Sequence, residues 1–144
     1  MPTEIVVDSS IIAALVTPEQ YSNWASNKLS EYSDFHALDL NYYEVANAIK
    51  YKKSDSFDAK DTLKAFNQAT QILDLYAVHT YSEVIKDAYA IAIELNITVY
   101  DAAFLSLAQK LNAKLLTLDQ KLAKKLEATK YLNLLEYPNK PIQT

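Results

Sequence analysis

Glu4-Ile5-Val6-Val7-Asp8-Ser9-Ser10 sets a short run rich in β-branched residues in front of an acid and two hydroxyls. Such a run reads as a strand buried on both faces. Asp8-Ser9-Ser10 has the chemistry of a strand-to-helix turn with an N-cap, and Ser9–Val16 reads as the helix it starts. The same unit returns late in the chain, with Lys114–Leu118 as a strand and Asp119–Leu126 as a short helix. Between them Phe35–Leu38 is a second strand and Tyr76–His79 a short strand or connector. Helices are predicted from Pro18 to about Tyr32, over Asn41–Lys53, over Ser56–Leu75 and over Tyr81–Leu95, where Val84, Ala88, Ile91 and Leu95 share a face. Asn96 fits a left-handed cap. Tyr100–Leu111 is a further helix and Tyr131–Leu135 a last strand. Strands alternating with helices predict an α/β fold in three layers, α/β/α, around a parallel sheet of four to five strands with right-handed crossovers. Residues 1–136 form the expected domain, and 137–144, with Pro138 and Pro141, a tail.

The chain has 144 residues, 50% of them hydrophobic and 22% charged, enough for a single core. No apolar run reaches the roughly 18 residues of a membrane span, and the N-terminus lacks a signal-peptide pattern. There is no cysteine, which excludes disulfides and thiolate chemistry and suits a cytoplasmic location. Glycine is also absent, so phosphate-cradling glycine loops are excluded. All 14 basic residues are lysine, so phosphate can be met only by ammonium groups, backbone N–H or metal. The net charge of −4 argues against binding nucleic acid by charge alone. The charge is uneven, however: Lys110, Lys114, Lys121, Lys124, Lys125 and Lys130 cluster in one stretch, and Lys50, Lys52 and Lys53 in another.

Asp8, Glu44, Asp101 and Asp119 each stand at a junction of predicted elements. Each has a structural reading. Asp8 and Asp119 can be N-caps, while Asn41-Tyr42-Tyr43-Glu44 and Thr98-Val99-Tyr100-Asp101 resemble capping boxes. Together they read differently. Asp101 shares a helical stripe with Phe104, Leu105 and Ala108, so it points toward the apolar side. Four carboxylates converging at the strand ends of a parallel sheet would repel and raise one another's pKa values unless a cation sits among them. Oxygen-only ligands suit Mg²⁺ or Mn²⁺.

The ordered set resembles PIN-domain ribonucleases, most closely the toxins of VapBC-type toxin–antitoxin pairs. Ile5-Val6-Val7-Asp8-Ser9-Ser10 is similar to the family's opening strand and first acid, and Tyr43-Glu44-Val45-Ala46-Asn47-Ala48 to its second-acid helix. Tyr100-Asp101-Ala102-Ala103-Phe104-Leu105 and Leu115-Leu116-Thr117-Leu118-Asp119-Gln120-Lys121-Leu122 are similar to the segments with its third and fourth acids. Family members often carry a glycine before the last of these strands. Here Asn112-Ala113 fills that turn, and Asn tolerates the left-handed region.

The resemblance implies a metal-dependent endoribonuclease that leaves a 5′-phosphate and a 3′-hydroxyl. Asp8, Glu44, Asp101 and Asp119 would be its catalytic and metal-holding acids, with Ser10 and Thr117 orienting them from behind. It also implies a homodimer and a cognate antitoxin, both expected on the helix of Tyr21, Trp24 and Leu29 or on Ser56–Leu75. Tyr42, Tyr43 or Tyr100 could stack on a splayed base. His36 and His79 have no partner by sequence and are expected to be core or surface residues. A haloacid-dehalogenase-like phosphatase wants an acid where Ser10 stands, and a receiver domain wants an acidic pair that is missing. RNA processing without an antitoxin and a silent binding module remain the alternatives.

Overall fold

The computed structural model describes residues 2–139. Five strands, β1 (Glu4–Val7), β2 (Asp34–Leu38), β3 (Ala77–His79), β4 (Lys114–Leu116) and β5 (Leu135–Glu136), form one sheet in the order β3-β2-β1-β4-β5. Every pairing is parallel. Around it lie α1 (Ser9–Val16), α2 (Ser22–Leu29), α3 (Leu40–Lys50), α4 (Ala59–Asp74), α5 (Ile85–Leu95), α6 (Val99–Leu111) and α7 (Gln120–Lys125), with 3₁₀ turns at Tyr81–Glu83 and Lys130–Leu134.

Side-chain alternation along the strands divides the core into two layers. Ile5, Val7, Ala37 and Leu116 pack with α1, α3 and α4 on one face. Val6, Leu38 and Leu115 pack with α5 and α6 on the other. β1 lies at the centre, with Ile5, Val6 and Val7 fully buried. The chain leaves β1 for β2 on one side and pairs with β4 on the other, so a crevice opens beyond the C-terminal end of β1. Asp8 stands there. Among the described residues no single helix is long and apolar enough to cross a membrane.

A chain without glycine must close its turns otherwise. Asn96 and Asn112 cap α5 and α6 in the left-handed region, at φ 54° and 51°. Ala128 takes φ 65°, a conformation that costs a residue with a Cβ roughly 1–2 kcal/mol.

Three predicted elements differ. The helix expected from Pro18 begins only at Ser22, whose hydroxyl accepts the Glu19 N–H and donates to the Thr17 carbonyl, holding residues 17–21 in a turn. The strand expected over Tyr131–Leu135 is mostly 3₁₀, since Ala128 reverses the chain and Thr129 caps the Tyr131 N–H. α3 is capped by Asp39, not Asn41, because the Asp39 carboxylate accepts the Leu40 N–H. Of the expected tail, residues 140–144, including Pro141, lie outside the described residues.

Freed from the cap, Asn41 turns inward and is fully buried. Its oxygen accepts the Leu38 N–H at 2.7 Å, and its amide donates to the Val7 carbonyl at 3.1 Å and to the Ser9 hydroxyl at 3.2 Å. One side chain thus fastens α3 to the ends of β1 and β2. Asn41→Ala strands these groups without water, and urea unfolding is expected to show a loss of about 2–4 kcal/mol. A loss below about 0.5 kcal/mol would mean that the strand ends hold without it.

Candidate active site

The geometry begins at Asp8, which caps α1. Its Oδ1 accepts the backbone N–H of Ser10 at 3.0 Å and of Ile11 at 3.3 Å, so the carboxylate sits at the positive end of the helix. Two hydroxyls brace it further. Ser10 Oγ donates to Asp8 Oδ1 and accepts the Leu118 N–H at 3.0 Å. Thr117, fully buried, lies near enough to lower the Asp8 pKa, and its Oγ1 accepts the Asp119 N–H at 3.0 Å. Ser10 and Thr117 therefore tie the first acid to the loop that carries the last.

That loop ends in Asp119, which caps α7 by accepting the Leu122 N–H at 2.9 Å. Glu44 lies one turn into α3, where Ser9 Oγ donates to its Oε1 at 2.9 Å. The Ser9 hydroxyl is itself positioned by Asn41, so the buried amide reaches the second acid through one intermediary. Asp101 sits in the first turn of α6. Its N–H donates to the Thr98 hydroxyl at 3.1 Å, and that hydroxyl also favours the charged carboxylate. All four acids keep part of their surface open to solvent.

The electrostatics join them in a series. Asp8 is surrounded by protein, and loss of hydration pushes its pKa up to about 6 against the pull of Ser10, Thr117 and the Ile11 N–H, with Glu44 adding repulsion. Glu44 is raised first by burial, and also by Asp101. Asp101 is raised first by burial and then by Asp119. Each acid thus feels the next. None makes an ion pair within 4 Å among the described residues. Lys125 of α7 lowers the Asp101 pKa at longer range. As placed, no three His, Asp or Glu side chains among the described residues gather tightly enough to hold one ion.

Beside the helix starts that bear Glu44 and Asp101 is an apolar cavity of about 370 Å³, lined by Leu38, Leu40, Tyr43, Tyr81, Val99 and Tyr100 among others. Tyr43 and Tyr100 are exposed. Tyr42 is not available for stacking in the same way, because its hydroxyl donates to Asp74 of α4 at 2.6 Å. Sequence reasoning read Asn41 only as a helix cap and Ser9 only as part of the strand-to-helix turn. The local clue to Asn41 was an amide two residues beyond another cap-forming residue, Asp39.

Known proteins share this plan. The family model of the PIN domain matches residues 5–127. Ribonuclease VapC3 of Pyrobaculum aerophilum is 41% identical over 126 residues, which span 87% of this chain and 96% of that protein. Among solved structures, a toxin–antitoxin complex from Klebsiella pneumoniae superposes with a TM-score of 0.68 at 15% identity, covering 97% of this chain and 99% of that one. VapBC2 from Rickettsia felis, bound to a DNA fragment from its promoter, gives a TM-score of 0.62 at 17% identity, covering 93% and 98%. PAE2754 from Pyrobaculum aerophilum gives 0.58 at 24% identity, covering 88% and 82%. At these identities the structures speak for the fold. The matched family model and the relative aligned over most of both sequences show that this chain belongs to the PIN-domain family.

Proposed function

We propose that this protein is a divalent-metal-dependent endoribonuclease, the toxin of a type II toxin–antitoxin pair. The carrying observation is the series of four partly buried carboxylates, three of them with raised pKa values and none neutralised by an ion pair among the described residues. Such a group gains from a cation. Its all-oxygen chemistry fits Mg²⁺ or Mn²⁺, which hold several waters and so suit acids that do not close into a tight cage. The 41% identity to a named ribonuclease supports RNA as the substrate.

Asp8, Glu44 and Asp101 would hold the ion, directly or through water, and Asp119 would complete the site. The ion would supply charge neutralisation at the phosphate and acidify an attacking water. The chain's own residues do the positioning. Ser10 fixes Asp8 and Ser9 fixes Glu44, while Thr117 and Thr98 hold the backbone N–H groups of Asp119 and Asp101. Lys121, Lys124 and Lys125 on α7 supply positive charge for the RNA backbone next to Asp119. Lys52, Lys110 and Lys114 are engaged with Glu19, Glu83 and Glu136 instead. Tyr43 and Tyr100 offer faces for an unstacked base, which favours single-stranded RNA.

The homodimer is best supported on α5, where Ile85, Tyr89 and Ile93 repeat at helical spacing and Tyr89 and Ile93 are 62% and 68% exposed. α2 is a poorer choice than its sequence suggests, since Leu29 is buried and Trp24 packs on the core. α4 keeps an open groove with α1, lined by Leu15, Val16, Ile72 and Leu75, which suits an apolar segment of an antitoxin. The lack of cysteine accords with a cytoplasmic site of action.

With end-labelled RNA and Mg²⁺ or Mn²⁺, cleavage is expected to stop in EDTA and to fall at least 100-fold in Asp8→Asn and Asp101→Asn. Ser10→Ala and Thr117→Ala are expected to lose roughly 10–100-fold, as outer partners of metal ligands do. Unimpaired cleavage by Asp8→Asn would sink the assignment, and intact RNA throughout would favour a silent module.

The metal-free protein should also report the cost of burying this charge. The folded-state pKa of Asp8 lies above its usual value near 3.8, so the native state prefers the protonated acid. That contribution is complete below about pH 4 and is lost as pH rises through about 6. On the order of 2–3 kcal/mol is at stake. Asp8→Asn, which keeps a good N-cap, should therefore melt several degrees higher than wild type at pH 7.5 without metal, and little higher at pH 4. Equal melting at both values would show that the charge is already neutralised. For the dimer, Tyr89→Lys with Ile93→Glu should shift light scattering to a monomer, and an unchanged mass would move the interface elsewhere.

A further inference from the structure

We propose that the apolar cavity beside the acids receives one unstacked base of the RNA, and that Asp39 selects guanine for it. At about 370 Å³ the cavity falls in the range of small-ligand sites, roughly 300–1,000 Å³. Three parts of the fold wall it: the end of β2 with the start of α3, the 3₁₀ turn Tyr81–Glu83, and the first turns of α6. Two of its tyrosines adjoin acids in the chain, Tyr43 before Glu44 and Tyr100 before Asp101. Both are largely exposed, at 79% and 61%, as is Tyr81 at 66%. A phosphate seated at those acids has its neighbouring base one sugar away, within reach of three aromatic faces. In this respect the inference rests on the ribonuclease reading, since the acids would seat the phosphate.

Among the described residues that line the cavity, Asp39 alone is charged. Its carboxylate is held from two sides. Oδ1 accepts the Leu40 N–H at 2.9 Å, and Oδ2 accepts the Tyr81 N–H at 3.2 Å. Leu40 and Tyr81 belong to two different walls, so the carboxylate bridges them at the cavity's edge. Its backbone is fixed as well, because the Asp39 N–H donates to the His79 carbonyl at 2.9 Å. Each carboxylate oxygen carries two lone pairs, so one on each remains for a ligand.

Two rigid acceptors in an otherwise apolar slot discriminate strongly, because a base without matching donors leaves them unpaired. Guanine is the RNA base with two adjacent donors on its pairing edge, N1–H and the N2 amine. Adenine, cytosine and uracil each set an acceptor beside a single donor group, which would face a carboxylate oxygen. Aromatic faces at the sides and hydrogen bonds at the pairing edge are the means by which unstacked bases are read. Asp39 therefore acts on substrate choice, apart from the four acids that act on the phosphate.

The test measures binding of labelled five-nucleotide RNAs, varied at the central base within uracil flanks, to whole Asp8→Asn protein in Mg²⁺ by fluorescence anisotropy. Guanine is expected to bind roughly 10–100-fold tighter than the other three bases. Inosine, which lacks the N2 amine, should lose roughly 10-fold, while 7-deazaguanine, altered on the opposite edge, should bind as guanine does. Asp39→Asn keeps a good cap for α3 but sets a donor beside an acceptor, so the preference should move to adenine. Equal affinity for all four bases, or inosine bound as tightly as guanine, would overturn the proposal whether or not Asp39→Asn folds. A guanine preference that emerges only after Tyr89→Lys with Ile93→Glu would also overturn it, giving the cavity to a second copy of the chain that reaches it past Ile85. The two readings fail separately: guanine preference without cleavage by wild type supports the pocket against the nuclease, and cleavage without base preference sinks the pocket alone.

Discussion

The cost of holding the Asp8 carboxylate at the end of the central strand governs the rest of this structure. Burial disfavours its charge, and Glu44 makes the cost larger. The fold offsets part of it locally. The α1 N-terminus contributes two N–H groups, and Ser10 and Thr117 contribute hydroxyls. These are the strongest neutral donors available at a strand-to-helix turn, yet they do not bring the carboxyl back to its ordinary value. What remains unsatisfied is charge, not hydrogen bonding, a need that a proton meets at low pH and that the proposed cation would meet at neutral pH.

The same constraint explains the crevice architecture. Four acids from four different segments can approach one another only where a parallel sheet changes direction, because there the loops after β1 and β4 diverge and leave a gap. Asn41 prevents that gap from loosening. It pins the end of β2 and the last carbonyl of β1 to α3, and through Ser9 it reaches Glu44. An apolar residue there would pack but would leave three polar groups dry. Fold and site therefore share a residue, and neither role can change alone.

Much of this was legible in the sequence because it is local. The β1–Asp8–α1 unit needs only a β-branched run and a cap, and Asn96 and Asn112 announce helix ends wherever glycine is missing. The ordered acids were readable as a set, and the chain order of strands and helices was enough for a parallel sheet. What escaped was tertiary. Nothing local distinguishes Asp39 from Asn41 as the cap of α3, since both are good caps. The choice is made by β2, whose last residue Leu38 needs an acceptor for its N–H and finds the Asn41 oxygen. The final strand was misread because Tyr131, Leu132, Leu134 and Leu135 look like a strand, while Ala128 and Thr129 turn the chain first. His36 and His79 stand 43 residues apart, and only the register of β2 on β3 makes them neighbours.

The choice of neutral braces carries the functional argument one step further. A lysine at ion-pair distance from Asp8 or Glu44 would stabilise the apo protein more than a serine does. It would also neutralise the acid permanently and remove any demand for an exchangeable ion. Ser9 and Ser10 instead orient carboxylate lone pairs and leave the charge in place, and Thr98 and Thr117 hold the backbone of Asp101 and Asp119. The lysine whose field is felt, Lys125, acts at Asp101 from beyond ion-pair distance, on the helix that starts at Asp119. Positive charge thus stands back from the acids, where a phosphate backbone could meet it, and the centre keeps its deficit. A scaffold built only for stability would have reversed that arrangement, so the arrangement supports the proposal of an exchangeable cation at this site.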